Sequence, residues 1–171
     1  MNYGTIKKTD IANGDGVRVS LFVSGCENHC PGCFNPETWA YEYGEVFDLD
    51  TMSELIDALS PEYISGLSVL GGEPLDPHNR ETVTFICDTT KVIYPDKSIW
   101  IYTGYNFEDV KDLEIMKYID VLVDGRFILA EKDISLQFRG SRNQRIIDVP
   151  ETLRSGSITL WRSKYEKVRT Q

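Results

Sequence analysis

The sequence is short of positive charge, of long apolar runs and of cysteine, and each shortage removes a class of function. Lys and Arg total 18 against 27 Asp and Glu, a formal net charge of −9. The deficit is concentrated in residues 1–138, with 10 basic and 24 acidic side chains, while residues 139–171 hold 8 and 3. An acidic body excludes a nucleic-acid groove, because phosphate binding needs clustered cations. The basic C-terminal segment reads mainly as a solvated face; Arg139 to Arg145 stand apart as a stretch able to meet an acidic partner or a ligand carboxylate. No apolar run approaches the ~20 residues that cross a bilayer. The opening Met1-Asn-Tyr-Gly-Thr-Ile-Lys-Lys8 has no secretory apolar stretch. The expectation is a cytoplasmic protein with no membrane and no nucleic acid among its partners.

Cysteine is limited to four residues, and three of them fall between positions 26 and 33. A disulfide framework would scatter its cysteines to staple distant segments, and the cytoplasm would keep them reduced. Thiols packed this closely read as metal ligands. Against these absences stand 171 residues, 41% of them hydrophobic. That is enough for one domain over 1–171, with a core spanning about 13–149 and a flexible tail over 163–171.

Four segments carry strand patterns: 17–23, 66–70, 98–102 and 119–124, each β-rich and bounded by turn residues. Helical periodicity separates them. Thr51-Met-Ser-Glu54 reads as a capping box ahead of Leu55, Ile56 and Leu59. Residues 79–92 align Val83, Ile86, Cys87 and Thr90 on one stripe, and a shorter helix is expected over 107–117. A further strand is expected at 146–149 and another at 157–161. Strand–helix alternation implies right-handed βαβ units, so the expected fold is α/β, a partial (β/α) barrel with a mainly parallel sheet, open on one side.

Such sheets bind ligands at the carboxyl ends of their strands. All four strands end in unusual residues: Ser24-Gly-Cys26, Gly71-Gly-Glu-Pro74, Tyr102-Thr-Gly-Tyr105 and Asp124-Gly-Arg-Phe127. Glycines alone would be routine turn chemistry, but four enriched ends on one rim suggest one site assembled there.

Cys26, Cys30 and Cys33 follow a C-x3-C-x2-C spacing. Three thiolates on a short loop can take three corners of an iron–sulfur cube. The fourth iron then lacks a protein thiolate and is free to bind a small molecule, as open metal sites are. A zinc reading would recruit His29 as fourth ligand, but His29 adjoins Cys30, and neighbouring side chains diverge. Cys87, on an apolar helical stripe, reads as a small buried hydrophobe.

This spacing after a first strand resembles the radical S-adenosylmethionine superfamily, and Gly71-Gly72-Glu73-Pro74 resembles its element for the methionyl amino group. Gly32-Cys-Phe-Asn-Pro-Glu-Thr-Trp39, Tyr102-Thr-Gly-Tyr105, Val123-Asp-Gly-Arg-Phe127 and Arg139-Gly-Ser-Arg-Asn-Gln-Arg145 narrow it. Together they are similar to the activating proteins of the anaerobic (class III) ribonucleotide reductase, over roughly residues 13 to 147. The resemblance implies a radical-SAM-type fold with a 4Fe-4S cluster on Cys26, Cys30 and Cys33. It implies S-adenosylmethionine bound by Gly71, Gly72, Glu73, Pro74, Thr103, Asp124 and Asn143. The implied chemistry is one-electron cleavage of that cofactor, then hydrogen abstraction by the 5′-deoxyadenosyl radical from a glycine of the reductase's glycyl-radical subunit. It also implies a low-potential electron donor such as flavodoxin or ferredoxin.

The sequence departs from the superfamily before the third cysteine, where an often aromatic residue near the adenine is replaced by Gly32; Phe34 or Trp39 are the candidates to stand in, with backbone as the alternative rest for the adenine. Plainer roles remain for several residues. Asp124 can cap a helix or form a turn, Asn143 and Arg145 can brace their loop or meet a partner, and Trp100 and Tyr102 read as core. Two other functional classes stay open: another small radical enzyme, such as a pyruvate formate-lyase activator or a small-molecule synthase, and a non-catalytic metal-stabilised interaction module.

Overall fold

The computed structural model describes residues 1–163; the tail expected from 163 onward lies, but for Ser163, outside the described residues. Seven strands form one open sheet: β1 (Asn2–Asp10), β2 (Val17–Val23), β3 (Glu45–Val46), β4 (Ile64–Gly71), β5 (Ser98–Tyr102), β6 (Val121–Asp124) and β7 (Arg145–Asp148), in the order β3-β1-β2-β4-β5-β6-β7. The fold is α/β, as expected, but the sheet is mixed and does not close. β2, β4, β5 and β6 are parallel, whereas β1, β3 and β7 run antiparallel to their neighbours. For β1 the reason is connection length. A short glycine-bearing turn joins β1 to β2, and only antiparallel strands can be joined that closely. β1 escaped the sequence pattern because its side chains are mostly exposed or half-buried; pairing with β2, rather than burial, holds it.

Helices α1 (Leu49–Leu59) and α2 (Pro77–Ile93) pack on one face of the sheet, against Val19, Leu21, Val23, Leu67, Val69, Ile99 and Ile101. α1 starts earlier than the capping box suggested. Asp48 is its cap, accepting both the Thr51 N–H and the Thr51 hydroxyl at 2.9 Å; the exposed Leu49 hid this first turn from the apolar pattern. α2 likewise begins earlier, capped by Asp76, which accepts from the His78 N–H. The expected helix over 107–117 is two pieces, α3 (Phe107–Val110) and a single tighter turn at Glu114–Lys117. α4 (Val149–Ser155) was not anticipated, although Asp148 caps it, Pro150 lies in its first turn and Gly156 closes it with φ 71°. Instead of a strand at 157–161 there is one bridge, between Ile147 and Leu160.

The other face of the sheet is different in kind. Arg18, Ser20 and Phe22, then Ser68 and Leu70, then Trp100 and Tyr102 alternate with the core residues. Trp100 packs edge-on against Phe138 and Trp161, with ring centroids 5.4 and 4.8 Å away. Arg18 is fully buried, and its guanidinium donates to Ser68 Oγ, Leu67 O, Ser98 O, Ser98 Oγ and Asp15 O at 2.7–3.2 Å. Burial pushes its pKa down to about 10, so it stays charged at neutral pH and every one of those acceptors stays matched.

Candidate active site

The parallel strands all deliver their carboxyl ends to one mouth. There a cavity of about 610 Å³ is lined by Cys26, Cys30, Cys33, Gly71, Gly72, Glu73, Thr103 and Gly104, among others. The segment after β2 is the cysteine loop. Its last two cysteines are brought together by a tight turn: the Cys33 N–H donates to the Cys30 carbonyl at 3.0 Å, with Pro31 and Gly32 between. Gly32 has φ +73°, as the third residue of a type II turn must, and proline suits the residue before it. The missing aromatic residue before Cys33 therefore has a local cause. Phe34 and Trp39 both line the cavity, and His29 stacks on Trp39 with centroids 4.6 Å apart.

The loop is docked onto the Gly-Gly-Glu segment through backbone. The Gly72 N–H donates to Val23 O at 2.7 Å and the Glu73 N–H to Gly25 O at 2.8 Å. Asn79, from α2, donates to Ser24 O at 2.9 Å and Glu73 O at 3.0 Å. A Cβ at position 72 would stand 2.6 Å from the Gly25 carbonyl, so only glycine permits this approach.

Glu73 is buried, and its carboxylate gathers four donors: the Thr103 hydroxyl at 2.6 Å, the Gly104 N–H at 2.7 Å, the Leu75 N–H at 3.1 Å and Asn28 Nδ2 at 3.2 Å. Burial raises its pKa, while the bonds from Thr103, Gly104 and Leu75 oppose that rise. Asn28 was missed by sequence reasoning. Its carbonyl accepts from Arg126 Nε at 2.8 Å, so one side chain links the cysteine loop, Glu73 and the segment after β6. Its place between Cys26 and Cys30 was the available signal.

Pro74 is buried next to Glu73. Asp124 and Asn143 do not line the cavity. Asp124 is buried and accepts from the Phe107 N–H at 2.8 Å and from the Arg145 guanidinium, which also pairs with Glu108 at 2.8 Å. These two acids raise the Arg145 pKa further. Asn143 is exposed and donates to Arg126 O at 2.8 Å. Arg145 is thus committed inside the fold, whereas Arg142 is exposed and pairs with Asp133 at 3.0 Å.

The donor set fits an iron–sulfur cube. Each cubane thiolate binds a different iron, so the sulfurs stand at separate corners rather than meeting at a point. Among the described residues, no three His, Cys, Asp or Glu side chains converge on a single ion. Burial pushes the Cys26 and Cys30 thiols up; ligation requires thiolates, so metal loading here would release protons.

A family model described as a 4Fe-4S single cluster domain matches residues 12–147. The chain is 46% identical over 148 residues to the anaerobic ribonucleoside-triphosphate reductase-activating protein of Enterobacteria phage T4, covering 85% of this chain and 93% of that one. It is 43% identical over 150 residues to the protein of the same name from Haemophilus influenzae (85% and 97%). The Escherichia coli protein of that name is 39% identical over 148 residues (84% and 96%).

Proposed function

Because the chain belongs to the family of anaerobic ribonucleoside-triphosphate reductase-activating proteins, with a 4Fe-4S single cluster domain, we propose that it installs a glycyl radical on an anaerobic ribonucleotide reductase. The observation that carries the reading is the shared cavity: three cysteines, the Gly-Gly-Glu segment and Thr103 face one space at the carboxyl ends of parallel strands. When bound, a reduced cluster would supply the one electron that breaks the sulfonium carbon–sulfur bond of S-adenosylmethionine, giving methionine and the 5′-deoxyadenosyl radical that would take a hydrogen atom from glycine.

The chain's own residues bind and orient. Cys26, Cys30 and Cys33 hold the cluster and leave one iron for the cofactor's amino and carboxylate groups. Glu73, held by its four donors, presents a fixed carboxylate acceptor suited to the N–H groups of an iron-bound amine, and Gly71, Gly72 and Pro74 bring the backbone close. Thr103 fixes the Glu73 carboxylate. Asp124 and Asn143 act at one remove, by holding the Phe107 and Arg126 segments that border the cavity. Phe34 and Trp39 offer aromatic faces to the adenine. On this reading 1–171 is one cytoplasmic radical-SAM domain, its sheet curling as a partial barrel, and its electron comes from a donor such as flavodoxin or ferredoxin.

The test is anaerobic reconstitution followed by reduction. The expected products are 5′-deoxyadenosine and, on adding an anaerobic ribonucleotide reductase, a doublet in electron paramagnetic resonance that disappears when the reductase's glycine is replaced by alanine. Efficient modification of a small molecule, with no radical on the reductase, would overturn the assignment of the partner. Intact S-adenosylmethionine after reduction would leave a non-catalytic module instead.

A further inference from the structure

One lip of the cavity is built from residues 126–142, which fold back on themselves after β6. Lys132 and Ser141 form an antiparallel bridge, the Asp133 N–H donates to Gly140 O at 3.2 Å and the Arg142 N–H to Glu131 O at 3.0 Å. Buried Ser141 ties down the base by accepting from the Ile128 N–H at 3.2 Å. At the tip the Leu136 N–H donates to Asp133 O at 3.3 Å, and the Asp133 carboxylate is held by Ser135 and Arg142. Ile134 stands in that turn and is 92% exposed. Turns favour glycine, proline and short polar residues, so an isoleucine held out by a braced loop gains nothing from the fold. Ile128, Leu129 and Phe34 are exposed along the same lip. Leu129 bears on the cysteine loop, since a Cβ at Gly32 would stand 2.8 Å from Leu129 Cδ1. Ile134 and Phe34 reach the cavity mouth, so the apolar strip runs from the outer surface into the site. The charge is as distinctive. Residues 126–142 hold four basic and two acidic side chains in a chain of net charge −9. Asp133 is paired with Arg142, Lys132 lies 4.9 Å over the Phe34 ring, and exposed Lys7 lines the mouth from β1.

We propose that this lip is the docking surface for the reductase, and that it seats in an apolar depression flanked by acidic side chains beside the reductase's glycine. The inference rests on the function proposed above and names the surface that recognises the partner. A small substrate needs the cavity alone. A strip that extends outside it, apolar with a cationic flank, fits a protein face that covers the mouth. Exposed apolar residues scattered singly are ordinary, whereas a contiguous strip rimmed by charge marks an interaction site. Bracing the loop before contact lowers the ordering cost of docking, and cations around the mouth steer an acidic face onto it.

The experiment compares cluster-loaded wild type, Ile134→Ser, Lys132→Glu and, as control, Val92→Ser, whose side chain is exposed on α2. Calorimetry with intact anaerobic ribonucleotide reductase gives the affinity, and 5′-deoxyadenosine formed under chemical reduction reports on the cofactor without the partner. Ile134→Ser should weaken the complex about ten- to a hundredfold, the range for burying one isoleucine. Its melting temperature and its cofactor cleavage alone should match wild type. Lys132→Glu should weaken the complex as well, and by less as salt rises. Val92→Ser should bind as wild type does. Unaltered reductase affinity in Ile134→Ser or in Lys132→Glu overturns the inference alone, as does an equal loss in Val92→Ser. Cofactor cleavage lost in Ile134→Ser also overturns it, by showing that the residue serves the cofactor. A dimer of the chain that dissociates in Ile134→Ser, with reductase affinity kept, assigns the lip to a second copy and overturns it too. Wild-type protein that cleaves its cofactor yet neither binds nor marks the reductase overturns the underlying reading and this inference with it.

Discussion

The two faces of the sheet are made from alternate residues of the same strands and follow opposite rules. On the helix-covered face, Val19, Leu67, Val69, Ile99 and Ile101 are fully buried among other hydrocarbon groups, and Cys87 joins them as one more apolar volume. The opposite face buries a guanidinium, two serines and a phenol, and ends at the cavity. Period-two alternation is usually read as core against solvent. Here it separates a face that stabilises the fold from a face that holds chemistry, and both are buried. Replacing a residue on the first should change stability alone; replacing one on the second, or at its rim, should change ligand binding as well.

The largest expected effect contrasts the cysteines. Replacing Cys26, Cys30 or Cys33 by Ala should each abolish a stable 4Fe-4S centre and all cofactor cleavage. Cys87→Ala should keep the full iron content and lower only the melting temperature. Iron analysis with visible absorption decides this, and a cluster lost from Cys87→Ala would erase the distinction between the faces.

Next comes the buried ion pair at the end of β6. Asp124→Ala removes the acceptor of the Phe107 N–H and the main partner of Arg145. A cost of about 3 kcal/mol is expected in chemical denaturation, near the lower end for breaking a buried pair because Arg145 retains Glu108 and some solvent. Charge reversal at Arg145 should behave the same way, so Arg142 is the residue that reports on a partner.

Glu73→Ala should weaken S-adenosylmethionine binding by about ten- to a hundredfold, the equivalent of a charge-assisted bond of roughly 1.5–3 kcal/mol. Iron content should hold. Isothermal titration with the reconstituted variant measures it, and unchanged affinity would detach the Gly-Gly-Glu segment from the cofactor. A bulky residue at Gly72 is a poorer probe than the sequence suggests, because it would displace the Gly25 carbonyl and so the cysteine loop itself.

The smallest effect belongs to Asp133. The Ser135 hydroxyl and N–H, then Arg142, pull its carboxyl from the ordinary 3.8 to about 2. A carboxylate lowered on folding contributes stability present above its unfolded value and lost as pH falls toward the folded one. Asp133→Asn should therefore flatten a slight decline in melting temperature between pH 4 and 2 and leave neutral-pH behaviour unchanged.

Much of this was legible in the residues. The strands 17–23 and 98–102 match their patterns residue for residue, because buried parallel strands write their burial into composition. The cysteine loop and Gly-Gly-Glu segment were legible because glycine, proline and cysteine at fixed spacing constrain backbone directly. What escaped depends on long-range pairing. β1 is defined by its neighbour and Asn28 by a carboxylate 45 positions away. Tyr102 read as core from its strand, and it packs against the cluster of Trp100, Val121 and Val123. Asp124 could be read from its strand end as a site residue or as a cap, and its pairing with the arginine 21 positions on was beyond any local pattern.

The first strand has a mechanical meaning for anyone who handles the protein. The Asn2 carbonyl accepts from the Ser24 N–H at 3.0 Å, two residues before Cys26, and the Met1 carbonyl accepts from the Phe47 N–H at the same distance. A surface tether, fluorophore or affinity tag fused at Met1 is therefore in series with the cysteine loop. Traction applied there is transmitted through two hydrogen bonds to the first cysteine and to the lead-in of α1. A flexible spacer at that junction should decide whether an immobilised sample retains its iron.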